Sequence, residues 1–230
     1  MTDRAVRVSC GYGGGAGRRR GAASGMLVDM DPELREQVIE LFRCALREGF
    51  DHATHHLERV SDVYGDELEG PALEAFEAEL PALYAEAAAR HRDEAAAWPA
   101  ITDCDRLDAA FDELNERGIL ARHRWWCCQN CGHATMGAER DTIVADGGMA
   151  RGYAFYHVQD TEAVADGGPL FLAFGAFDGD DAADKTIAQE TVDVLAAHDL
   201  AVRWDGSTSS RIAVPLRWQR RARPLRWCGD

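Results

Sequence analysis

Residues 102–133, TDCDRLDAAFDELNERGILARHRWWCCQNCGH, contain the change of period on which the fold turns. Thr102 and Asp103 are helix-capping residues, and Leu107, Ala110, Phe111 and Leu114 then recur at the three- and four-residue spacing of one helical face. Gly118 supplies the stop. The acids Asp105, Asp108, Asp112, Glu113 and Glu116 fall on the other faces, as a solvated helix surface does. From Ile119 the period shortens to two. Ile119, Ala121, His123, Trp125 and Cys127 share one side of a predicted strand, and Leu120, Arg122, Arg124, Trp126 and Cys128 share the other. Cys127 is thus expected to point inward and Cys128 outward.

Downstream, GYAFYHV at 152–158 is a second strand, with Asp160 expected to cap a helical turn over 161–165. LFLAFGAF at 170–177 is apolar on both sides, the mark of a central strand covered on each face. Asp180 or Asp181 opens a helix that turns Ala183, Ile187, Thr191, Val194 and Leu195 inward, and DGSTSS at 205–210 is a hairpin turn between residues 202–204 and 211–214. Strictly alternating βα units are missing. The predicted class is therefore α+β, an antiparallel-leaning sheet of about five strands with two main helices packed on it.

Upstream, residues 26–98 read as a helical unit. Asp31-Pro32 is an N-cap followed by proline at the first helical position, with Leu34, Val38, Leu41, Phe42 and Ala45 as the apolar face and Gly49 as the stop. A second helix from about Asp51 carries Ala53, Leu57, Val60 and Tyr64. His52 and His56 have metal-ligand spacing, but His52 and His55 fall with Arg59 and Asp62 on the polar side, which reads as a solvated face. A third helical pattern over 71–97 contains Pro81, where a kink or break is expected. The expected domains are a disordered Gly/Arg-rich arm at 1–25, the helical unit at 26–98, the α+β domain at 99–219 and a basic tail at 220–230. The glycine cluster in the arm lacks the following helix that a phosphate loop requires.

The 230 residues carry a net charge of −15, and both ends are basic, so residues 26–214 hold 15 basic and 38 acidic side chains. Such a body repels nucleic acid and anionic lipid, which disfavours both as partners. The Arg/Trp alternation of the tail is the one feature on the other side, and an edge strand against the acidic body accounts for it equally well. The N-terminus shows no apolar core of signal-peptide length, and 170–177 falls far short of the roughly 20 residues needed to cross a bilayer. Seven cysteines, an odd number with four between 104 and 131, do not form a secreted disulfide pattern. A cytoplasmic protein with free or metal-bound thiols is expected.

Trp98 with Thr102 and Asp103, the Cys127-Cys128-x-x-Cys131-Gly132 run, a Phe/Tyr-rich strand leading to Thr161-Glu162, and Trp204-Asp205-Gly206 occur together. In that combination the chain resembles a bacterial family catalogued as domain of unknown function 6891, over roughly residues 30–219. The resemblance implies kinship and brings no activity. His133 and the glycine-rich arm lie outside the family's pattern.

Chemistry, if present, belongs to the cysteine turn. Cys128-x-x-Cys131 is half a zinc ribbon, with Gly132 expected to let the backbone turn so that both sulfurs face one ion. His133 and Cys104 are the predicted remaining ligands of a structural zinc, with Cys127 and His157 as substitutes. A redox-active pair would need a helix directly after the first cysteine, and Gln129-Asn130 promises none. His157, Asp160 and Glu162, with Asp205 if the strands adjoin, have acid-base chemistry but no nucleophile or pocket. The sequence favours a binding or regulatory module for a protein or small-molecule partner. The rival is a metal- or thiol-dependent enzyme using Cys128, Cys131 and His133.

Overall fold

A computed structural model describes residues 30–50, 53–65 and 68–221. The chain divides into two compact units, Met1–Trp98 with Arg220–Asp230, and Pro99–Gln219. The expected arm at 1–25, the start of the second helix with His52, and tail residues 222–230 lie outside the described residues.

The first unit contains α1 (Pro32–Glu48), α2 (Ala53–Gly65) and α3 (Pro71–Ala96). Asp31 caps α1 by accepting from the N–H groups of Glu33 and Leu34, and Gly49 ends it in the left-handed region at φ 79°. Val38, Phe42, Val60, Phe76, Leu80, Leu83 and Ala87 close the core. Pro81 sits inside one continuous helix instead of breaking it. Its ring is exposed, while Phe76, Leu80 and Leu83 hold the buried face on both sides of it. His56 is buried and stacks on Tyr84 at 5.9 Å. Arg220, in the expected tail, is also buried and lies 4.6 Å over the Phe50 ring.

The second unit follows the order α4 (Asp103–Glu116), β1 (Ile119–Arg122), α5 (Gln129–Ala145), β2 (Gly152–Phe155), α6 (Val158–Ala165), β3 (Leu170–Ala176), α7 (Asp181–Ala197), β4 (Ile212–Val214). Thr102 and Asp105 form a reciprocal capping box at the start of α4, which buries Leu107, Ala110, Phe111 and Leu114 as expected and Cys104 with them. The sheet order is β1-β2-β3-β4. β1 and β2 pair in parallel, and the other two pairs are antiparallel. The class is α+β, but the described sheet has four strands and one parallel pair. The expected fifth strand at 202–204 is reduced to a single bridge, Arg203 to Ala213.

The predicted strand running from Ile119 to Cys128 stops at Arg122, and a helix that the sequence did not announce follows it. Ile119, Leu120 and Ala121 are all buried, so β1 is covered on both faces and its apparent alternation carried no face information. Arg124 at φ 47° and Trp126 at φ 60° then turn the backbone out of the strand. β2 presents opposite residues to opposite layers. A Cβ at Gly152 would meet Ile187 of α7, whereas Phe155 packs with Met136 of α5 and Ala173 of β3. The sheet is thus covered on both sides, by α7 and by α5, and β3 is the buried inner strand expected for 170–177.

Candidate metal and thiol centre

The loop after β1 is pinned to the C-terminal end of β2. Trp125 N–H donates to the Tyr156 carbonyl at 2.7 Å, and Val158 N–H donates to the Trp126 carbonyl at 3.0 Å. The Trp125 indole N–H reaches α5, donating to Thr135 Oγ1 at 3.1 Å and to the Gly132 carbonyl at 3.3 Å. These bonds carry the chain through its two left-handed residues and deliver Cys128 to the N-cap position of α5.

One turn of chain therefore gathers three sulfurs. The Sγ atoms of Cys127, Cys128 and Cys131 all lie within 4.8 Å of one another. Cys127 is exposed and the other two are half-buried, all three as free cysteines. The expectation that Cys127 and Cys128 point to opposite faces fails because they sit in a left-handed loop and a helix cap, where strand alternation does not apply. The Cys128 side chain makes no capping hydrogen bond. The N–H of Cys131, then its thiol, nevertheless favour a thiolate at Cys128 and hold it below the ordinary thiol range. Cys131 is pushed up to about 11, chiefly by its hydrogen bond with Cys128 and then by the one with Cys127.

The other predicted ligands stand elsewhere. Cys104 is buried on the inner face of α4. His133 Nδ1 is 2.9 Å from the Tyr153 hydroxyl and its Nε2 is 3.3 Å from Gln129 Nε2. Its ring meets Phe155 edge-on at 5.2 Å, and burial lowers its pKa against the opposing field of Asp184. Gly132 has a different reason from the one expected. A Cβ there would come within 2.4 Å of the Phe155 ring, so this glycine lets the first turn of α5 lie against the sheet.

The second predicted constellation is resolved into structure. His157, not Asp160, is the N-cap of α6: its Nδ1 accepts the Asp160 N–H at 3.3 Å, while Asp160 Oδ2 accepts the His157 N–H at 3.1 Å. Asp160 also receives Arg211 Nη1 at 2.9 and 3.0 Å. Asp205 instead accepts from Ser207 and Ser210 within its own turn. Arg211 was missed in the sequence because 51 residues separate it from Asp160; Cys127 stood only as a substitute ligand, because strand alternation set it on the face opposite Cys128, and the structure brings it into the cluster.

The His157 cap has a pH consequence. Burial, then Arg211, lowers the imidazole pKa from 6.5, with Asp160 opposing. Between that lowered value and 6.5 the unfolded chain binds the extra proton, so acid favours unfolding and stability rises with pH. Above 6.5 the contribution is constant. Asparagine keeps a capping oxygen without the titration, so the urea midpoint of His157→Asn should lose this part of its pH dependence. An unchanged profile would remove His157 from the cause.

Comparison with protein families finds that one model, described as Domain of unknown function (DUF6891), matches residues 31–222. Comparison with curated proteins and with solved structures finds no match. No described helix is long and apolar enough to cross a membrane.

Proposed function

Since the chain belongs to the Domain of unknown function (DUF6891) family, whose description names no activity, we propose from the geometry of the cysteine turn that it is a binding module built on a thiolate metal site, with zinc as the ion. The observation that carries this reading is the convergence of three sulfurs within 4.8 Å. Zn–S bonds of about 2.3 Å in a tetrahedral site place sulfurs roughly 3.8 Å apart, so small side-chain rotations suffice. Soft thiolates select zinc over magnesium or calcium. Cys127, Cys128 and Cys131 are the ligands in this reading, and His133 and Cys104 are not.

Among the described residues no fourth His, Cys, Asp or Glu joins the group. Water, or a donor atom from a protein or small-molecule partner, completes the tetrahedron. That open position is also the observation favouring a second reading, a zinc enzyme, because catalytic zinc keeps one position for water or substrate.

The test is zinc per chain in protein purified without a histidine tag and reloaded with zinc. One equivalent is expected, lost in Cys128→Ser. The buried core of this unit includes none of the three cysteines of the turn, so chelation is expected to remove the ion while far-UV circular dichroism is retained. Failure of reloaded protein to hold zinc would overturn the metal reading.

A further inference from the structure

We propose that Cys128 and Cys131 form a thiol–disulfide exchange pair that reacts with low-molecular-weight disulfides, with Cys128 as the attacking sulfur and Cys131 as the resolving one. This rests on the placement of the three sulfurs and not on the metal reading; a bound ion would block the exchange.

The helix that the sequence did not announce is what makes the pair. Cys128 is the N-cap of α5 and Cys131 lies in its first turn. One helical turn separates their backbones by about 5–6 Å, inside the usual disulfide window of roughly 4.4–6.8 Å. Cys127 and Cys128 are chain neighbours, whose Cα atoms lie about 3.8 Å apart, too close for an unstrained bridge. Of the three sulfurs within 4.8 Å, Cys128 and Cys131 are the two whose backbones α5 itself holds at that spacing, whereas Cys127 lies outside the helix. Cys128 occupies the N-cap of α5, the end at which the first-turn N–H groups have no partner within the helix. Cys128 and Cys131 are half-buried rather than enclosed, and Trp126, two residues before Cys128, is an exposed large apolar side chain.

The steps balance without metal or cofactor. The Cys128 sulfur attacks one sulfur of a glutathione-type disulfide, forming a mixed disulfide and expelling one small thiol, which takes up the proton Cys128 gives away. The Cys131 sulfur then attacks Cys128 Sγ, closing the internal disulfide and expelling the second small thiol with the proton from Cys131. Two protein thiols are oxidised, and one small disulfide is reduced to two thiols.

The test uses the full chain, reduced and stripped of metal, mixed with oxidised glutathione. Wild type should lose two hydrogens in mass, release two glutathione thiols per chain, map the new bond to Cys128–Cys131 and leave Cys127 open to alkylation. Cys131→Ser should stop at a glutathione adduct on Cys128, and circular dichroism shows whether that variant is folded. Wild type that remains fully alkylatable, or an adduct fixed on Cys127, would overturn the proposal. Running the zinc-loaded protein in parallel separates the two readings: exchange without zinc binding leaves this one standing alone, and zinc binding with no exchange in the stripped protein removes it.

Discussion

Asp160→Ala is expected to cost the carboxy-terminal unit about 3 kcal/mol, the lower end of what breaking a buried ion pair costs, and to lower its melting temperature by roughly 10 °C. Asp160 is 5% exposed and serves three partners: the Arg211 guanidinium, the His157 backbone N–H and the His157 imidazole. Alanine leaves Arg211 unpaired against the Phe171 ring and removes one side of the capping box. The lower end is chosen because the Arg211 side chain is 28% exposed, so water recovers part of the loss. Asp160→Asn keeps an acceptor oxygen for the cap and should lose less. Urea denaturation checks both variants. An alanine variant as stable as the native chain would show that the ion pair contributes nothing beyond its own desolvation.

Gly132→Ala is expected to destabilise the same unit by about 2 kcal/mol, despite replacing glycine by a better helix former. The added methyl would sit 2.4–2.5 Å from Phe155 Cε2 and Cζ. Phe155 is fully buried, packed with His133, Tyr153 and Met136, so the ring cannot move aside. The first turn of α5 must lift instead, and the three sulfurs move with it. Reduced zinc uptake should accompany the loss of stability. Gly137, five positions along the same helix, has open space where its Cβ would be. Gly137→Ala should therefore stabilise the unit by up to about 1 kcal/mol. The opposite signs expected for two glycines in one helix make the pair diagnostic. If both variants gain stability, close packing against Phe155 is not what requires glycine at 132.

The parts of the fold that could be read directly are those whose signal is local. The Thr102 cap and the Leu107, Ala110, Phe111, Leu114 stripe lie within one short segment, and both are present as expected. The apolar run at 170–177 likewise became the inner strand β3. Helix α5 was illegible because only Gly132 and Met136 of its 17 residues are buried, too few to write a 3.6-residue period. Its stability comes from contacts with β2 and with the Trp125 indole.

By itself the sequence determined the α+β class, the helical character of the first unit, the family and the cysteine run as the place where chemistry concentrates. Tertiary structure alone decided which sulfurs meet. The left-handed turns at Arg124 and Trp126 are held by backbone bonds to residues 156 and 158, and α5 is seated on Phe155. Such long-range bonds leave no periodicity in the segment they bend. That is why Cys127 joined the cluster while His133 turned to Tyr153 and Cys104 went into the core.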